Sequence, residues 1–412
     1  MTQCKIIIYL YNRLFDPLIQ GNFWLYIDDL LKEKEYNLVF HVVTYEDNRF
    51  PLTPEQELQV IKWKQQGLAW TALRWHPGIG MKQKVADILA GFRVVTRLRV
   101  CGYQRIISLG SVAGTFAYLY ASLLNQRLFL YQYEPHSEYA VDNGMWLADS
   151  VQTRISRILE RRAARFATVI TSGTCFMEER VKQVWQSRTI FIKLPTVAND
   201  RKFVFDSSLR AEVREQLGLS EEQNVLFYPG KFEGLYYGDE TTWMFRWLLD
   251  EDPKLFFLIV TPHNDSEVIA RFDRAGVPSK NYAICHSGYA DIDRYFFAAD
   301  FAVIAVPPGP SKKFISNIKV GEYLLAGLPY LITRGVSEDY LFAEENDVGV
   351  VVNDFSESEI RIAWPKILKY LKKDPEVRRT HCRKKGLSYR GFDILNPKFR
   401  RAIDILVGER RT

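Results

Sequence analysis

Short β-type runs alternate with longer helix-patterned stretches along this chain, and the alternation runs through twice. The first series of β-type runs is Lys5–Tyr11, Asn37–Thr44, Leu68–Trp75, Arg105–Leu109, Arg127–Tyr133 and Thr168–Ser172. Helical patterns at 21–34, 54–66, 81–99, 113–125 and 151–167 separate them. Strand, helix, strand, helix at this spacing predicts an α/β fold, with a mostly parallel sheet covered on both faces. Leu194–Arg201 (LPTVANDR) has no helical period and reads as a linker. A second series then begins, with runs at 224–228, 255–261, 282–286, 300–306, 331–333 and 349–352. The chain of 412 residues has room for two or three domains at about 100–200 residues each. The expected division is 1–195, 196–394 and a tail helix over 395–412, after Pro397, that returns to the first domain. In open α/β sheets ligands sit beyond the carboxyl ends of the strands, so two such domains predict a central cleft.

Composition narrows the class. Apolar residues make up 47% and charged residues 25%, which excludes a disordered chain, a collagen and a coiled coil. The net charge of +6 is too mild to argue for nucleic acid. It suits an anionic membrane surface or a phosphorylated ligand. Cys4, Cys101, Cys175, Cys285 and Cys382 are scattered, so neither a zinc knuckle nor a disulfide framework follows. The apolar run near the N-terminus is too short for a signal peptide, and no run approaches the ~18 residues of a membrane span. The expected location is cytoplasmic, with peripheral contact at the inner face of a membrane. No G-x-G-x-x-G occurs, which argues against a nicotinamide dehydrogenase. Gly110–Gly114 reads as a turn into a helix.

The most informative segment is Ser311–Thr333, SKKFISNIKVGEYLLAGLPYLIT. Ser316–Asn317 has the chemistry of a helix N-cap, and a helix N-terminus offers free amides to an anion. Glu322 lies about two turns further on. A carboxylate there matches a sugar diol, because it accepts two hydroxyl hydrogen bonds. An exposed Glu on a capped helix fits the same residues. Asp291-Ile-Asp293 matches D-x-D, but it opens a helical pattern where acids are favoured by the helix dipole. No metal site is expected from it.

Read as Lys319, Glu322, Tyr323, Leu324, Gly327, Leu328 and Pro329, this segment resembles the donor-binding motif of glycosyltransferase family 4 (group 1), which has the GT-B fold. The similarity is to the bacterial branch with Ser-Pro-x-Lys ahead of the motif Glu. Leu226–Lys231 (LFYPGK), Tyr236–Tyr237, Gly288, Tyr133–Tyr139 (YEPHSEY) and Gly144–Trp146 also resemble that branch. The resemblance implies two Rossmann-like domains and a nucleotide-sugar donor, UDP-linked first and GDP-linked second. It implies retained anomeric configuration and no required cofactor or metal. Glu322 would accept the ribose hydroxyls. Ser316 and Asn317 amides would approach the donor sugar or diphosphate, with Lys319, Gly230 and Gly288 lining the donor site. Lys231 would stand at the β-phosphate, where a cation stabilises the leaving group. Phe314 stands where the family has the first of two glutamates, and Asn317 where the branch has Pro. Lys312 or Lys313 would replace a second family cation that finds no match.

His136 follows the run Arg127–Tyr133, at a strand's carboxyl end. The resemblance places it near the anomeric carbon, whereas the plainer alternative is a loop histidine capping a helix. Glu134 and Glu138 flank it and are taken, with His76, as acceptor-side residues. Gly78-Ile-Gly80 is a further candidate for the acceptor wall. Arg154, Arg157, Arg161 and Arg165 share one helix face. Two outcomes are open for that helix: a membrane-surface face for a lipid-linked acceptor, or a solvated helix packed through Ile155, Ile158 and Leu159. The expected partners are a nucleotide sugar, a glycan or lipid-linked acceptor and a membrane surface, not nucleic acid. The expected activity is transfer of a sugar to a hydroxyl acceptor. The alternatives are a nucleotide-sugar epimerase and a non-catalytic nucleotide- or glycan-binding protein.

Overall fold

The computed structural model describes residues 3–33, 37–76, 81–132 and 134–408. Contacts between Cα atoms divide the chain into two units, Met1–Pro195 with Leu395–Thr412, and Thr196–Ile394.

The first unit holds seven strands: β1 (Cys4–Leu10), β2 (Leu38–Glu46), β3 (Leu68–Arg74), β4 (Arg105–Leu109), β5 (Arg127–Tyr131), β6 (Val169–Ser172) and β7 (Ile190–Lys193). They form one sheet in the order β3-β2-β1-β4-β5-β6-β7, with neighbours parallel throughout. Ile6 to Leu10 are all buried, as a parallel strand covered on both faces requires. The order reverses between β1 and β4, so their carboxyl ends flank a topological switch point. Strand β7 escaped the sequence reading. Its four residues at the sheet edge run directly into Leu194-Pro195, which reads as linker. The expected Tyr133 end of β5 lies outside the described residues.

Two helices of this unit differ from expectation. The tail helix begins at Phe392, not after Pro397, and Pro397 lies inside it. A proline so near a helix start forfeits one backbone hydrogen bond. Burial of Leu395, Phe399, Ala402, Ile403 and Leu406 offsets that loss. Phe399 stacks on Tyr26 at 4.4 Å between ring centres, and Asn396 donates to Asp29 at 2.8 Å. Arg400 pairs with Asp29 and Glu33. The second correction concerns Val151–Phe166. It packs through Thr153, Glu160, Ala163 and Ala164, while Ile155 and Ile158 face outward. Its aliphatic stripe is not its packing face.

The second unit holds six strands: β8 (Val225–Pro229), β9 (Phe256–Val260), β10 (Tyr282–Cys285), β11 (Phe301–Ile304), β12 (Tyr330–Thr333) and β13 (Gly349–Val352). The order is β10-β9-β8-β11-β12-β13, again all parallel. Alternate residues feed two cores. Phe227, Leu258, Ala302 and Ile332 pack on one side, and Leu226, Phe257, Val303 and Leu331 on the other. Asp300 anchors the amino end of β11. It accepts from the β8 amide of Val225 at 3.0 Å and from Arg210 and Arg378 at 3.2 Å each. That fixes the foot of the two central strands. Their opposite ends, at the switch point, are free to carry a site.

Candidate functional site

The site of the second unit grows from the carboxyl end of β8. Gly230 follows Pro229 and donates its amide to the Val260 carbonyl at 2.9 Å. A Cβ at Gly230 would stand 2.9 Å from the Tyr228 hydroxyl and 3.1 Å from Lys319 Nζ. Only glycine fits there without a shift. Lys319 Nζ donates to the Tyr236 hydroxyl at 3.3 Å and lies over that ring at 4.4 Å. Gly230, Lys319 and Tyr236 therefore meet at the switch point between β8 and β11. Lys231 is exposed beside them, with its backbone carbonyl held by the Tyr228 hydroxyl.

The helix Ile318–Leu325 delivers Lys319 and Glu322 from one face. Asn317 caps it, its side chain accepting from the Lys319 amide at 3.2 Å. Gly327 ends the turn that follows at φ +83°, and a Cβ there would lie 2.8 Å from Arg379 Cα. Val320, Tyr323 and Leu324 bury the opposite face, and the Tyr323 hydroxyl donates to the Val303 carbonyl of β11 at 3.0 Å. The helix is thus fixed to the strand beside the site.

Glu322 is 7% exposed, so it is not the solvated side chain of the plainer alternative. Among the described residues no group donates a hydrogen bond to its carboxyl. Burial raises its pKa to about 8, against the lowering effect of Lys319 and Lys202. Tyr289 lies close by, its own pKa raised by burial and then by the Glu322 charge. Lys202, which the sequence reading missed, lies over the Tyr289 ring at 5.6 Å. It also binds Asp293 at 2.7 Å. Asp293 of the D-x-D triplet is thereby paired, and among the described residues no cluster of three or more His, Cys, Asp or Glu could hold a metal ion.

The other donor-side residues divide. The Ser316 side chain is engaged internally, accepting from the Thr196 amide at 3.0 Å and from Arg390 at 2.7 Å. Lys312 is buried and its carbonyl accepts from Ser337. Lys313 is exposed and lies over the Phe314 ring at 5.2 Å. Phe314 is buried. A Cβ on Gly288 would meet nothing within 4 Å, so sterics do not require glycine there.

In the first unit the strand ends bring together a second group. Tyr11 follows β1, His76 follows β3 and His136 begins the helix His136–Asp142 after β5. His76 Nδ1 is 2.6 Å from Asp87 Oδ1, and the Tyr11 hydroxyl donates to Asp87 Oδ2 at 2.5 Å. Lys84 donates to the Tyr11 oxygen at 2.7 Å. A fully buried carboxylate thus fixes the His76 ring and leaves Nε2 available to a hydroxyl. Asp87, Tyr11 and Lys84 were missed, because nothing in their spacing distinguishes them from an ordinary helix and loop. His136 packs edge-on to Trp146 at 5.1 Å between ring centres. Burial lowers its pKa, and Lys84 lowers it further, so the ring is neutral at physiological pH. Glu138 pairs with Arg180 at 2.6 Å, and the Glu134 carbonyl accepts from Ser111. Gly78-Ile-Gly80 lies outside the described residues.

No family model matches the chain, and no curated protein matches it in sequence. Solved structures do match over nearly the whole length. Sucrose-phosphate synthase from Thermosynechococcus elongatus superposes with TM-score 0.69 at 13% identity, covering 99% of this chain and 100% of that one. Anabaena HepE in complex with UDP gives 0.68 at 14%, covering 97% and 99%. WaaG, a glycosyltransferase involved in lipopolysaccharide biosynthesis, gives 0.65 at 16%, covering 98% and 100%. At such identities the likeness defines the fold. The two Rossmann-like parallel-sheet units are those of GT-B.

Proposed function

We propose that this protein is a glycosyltransferase that moves a sugar from a nucleotide diphosphate sugar to a hydroxyl of a glycan or lipid-linked acceptor. The observation that carries the proposal is the buried Glu322 carboxyl, to which no described residue donates a hydrogen bond and which stands beside Lys319 at the switch point of the second sheet. A group so placed is costly unless a ligand completes it. A ribose diol supplies two hydroxyl donors to it. Lys319 and Lys231 then face the diphosphate, where cations stabilise the charge that develops as the sugar leaves. UDP is the first donor to test and GDP the second. HepE and WaaG, with the same fold, are a UDP complex and a glycosyltransferase.

In this account transfer is retaining and needs no resident metal. The leaving diphosphate takes the acceptor's proton on the face from which it departs. His76, oriented by Asp87, binds an acceptor hydroxyl, and neutral His136 contacts the donor sugar. The test is release of nucleoside diphosphate from UDP-glucose and GDP-mannose, with and without acceptor glycans, followed by NMR of the product anomer. The second reading, a non-catalytic nucleotide-binding protein, is favoured by one observation. Phe314 is buried where the resembling family has a sugar-contacting glutamate. Nucleotide binding without turnover on any acceptor is its signature.

A further inference from the structure

The helix Val151–Phe166 turns the wrong residues outward for a solvated helix. Thr153, Glu160, Ala163 and Ala164 face the protein, although isoleucines were available for that role. Ile155 is 48% exposed, Ile158 51% and Val151 65%. Leu147, 80% exposed, extends the patch, and its carbonyl accepts from Thr153 at 2.9 Å.

Beside this stripe stand Arg154, Arg157, Arg161 and Arg162, all exposed, and no described carboxylate pairs with them. The one acid of the helix, Glu160, is buried, where Ser137 donates to it from Nα at 2.8 Å and from Oγ at 2.6 Å. Asp149, ahead of the Ser150 cap, is the exposed acid at its start. The adjoining helix, Ser111–Leu124, carries no charge and exposes Leu123. Aliphatic side chains interleaved with unpaired arginines fit the interfacial zone of a bilayer with anionic headgroups. No described helix is long and apolar enough to cross a membrane, so the contact is one of docking.

We propose that this face docks the protein on an anionic phospholipid surface, with Ile155 and Ile158 entering the acyl boundary and the arginines meeting the headgroups. The inference does not depend on the transferase reading. Its test is flotation of the full chain with vesicles of phosphatidylcholine alone and vesicles containing about one third phosphatidylglycerol. The expected result is binding to the anionic vesicles only, weakened by salt. Ile155→Ser with Ile158→Ser lowers partitioning at least about tenfold. Arg157→Gln with Arg161→Gln lowers it roughly thirtyfold, at about fivefold per arginine. All four positions are exposed, so circular dichroism stays unchanged. Equal binding to both vesicle types, no binding, or binding indifferent to the substitutions overturns the proposal. So does self-association in sedimentation that the isoleucine variant abolishes without vesicle binding, which would make the face a contact between copies of the chain.

Discussion

Arg390 donates to the Ser316 hydroxyl at 2.7 Å, joining the last long helix of the second unit to the segment that starts the Glu322 helix. The same guanidinium binds the Thr196 carbonyl at 3.1 Å and forms a buried ion pair with Asp339. Both partners of that pair are at most 1% exposed. Removing one partner of such a pair strands the other charge. Asp339→Ala is therefore expected to destabilise the protein by about 3–5 kcal/mol, read from urea denaturation. Ser316→Ala removes the hydrogen bonds that its hydroxyl accepts from Arg390 and from the Thr196 amide, and is expected to cost about 2–3 kcal/mol.

Glu322 gives the protein a pH-dependent weakness. An unfolded glutamate ionises near its ordinary value of about 4.5, while the folded one holds its proton to about 8. Its raised pKa means that the contribution to stability is fully present below the unfolded value. It is lost as pH rises through the interval. By about pH 7 the wild type has given up roughly 3 kcal/mol relative to a non-titrating side chain. Glu322→Gln is expected to flatten this slope, so that its melting temperature relative to wild type rises between about pH 5 and pH 8. Parallel pH profiles for the two proteins would contradict the assignment.

The two lysines proposed to face the diphosphate are tested by the choice of ligand. Lys319→Met is expected to weaken a nucleoside diphosphate roughly 10–100-fold, the range of a hydrogen bond to a charged group, and to leave the free nucleoside unchanged. Lys231→Met follows the same pattern with a smaller effect, because its side chain is exposed. Titration calorimetry with uridine and UDP distinguishes the two outcomes.

His76, held by Asp87, is the residue proposed for the acceptor side. His76→Gln is expected to raise the acceptor KM with little change in nucleotide affinity, since the proposal gives the ring the acceptor hydroxyl and leaves the nucleotide to Glu322 and Lys319. Asp87→Ala is expected to reduce stability as well, by about 3 kcal/mol, because the carboxylate is also the partner of Tyr11.

Much of the fold was legible because both sheets are buried on both faces, so their strands read as continuous apolar runs broken by helical periods. The helix Ile318–Leu325 was legible for a second reason: its Asn317 cap and the Gly327 that follows it fall at the spacing of one short helix. What escaped was set by tertiary placement. Lys202 sits in a loop without pattern, and Asp87 looks like any acid on a long helix until His76 and Tyr11 close on it. The Val151–Phe166 helix misled for the opposite reason. Its isoleucines have the right period for a packing stripe, and only the small residues beside them reveal which face lies down. Pro397 misled because proline is a strong stop signal, and the burial of Leu395, Phe399 and Ala402 that carries the helix through it is set by tertiary placement.

The most direct measurement is titration calorimetry of UDP and its 2′,3′-dideoxy analogue against the wild type and Glu322→Gln at about pH 7. The account predicts that UDP binds the wild type, that the dideoxy analogue loses roughly 10–100-fold, and that Glu322→Gln binds both equally weakly. It also predicts release of a proton on UDP binding, because the diol favours the ionised carboxyl. Equal affinity of wild type and variant for UDP, or no preference of the wild type for the ribose hydroxyls, would contradict the donor site proposed around Glu322.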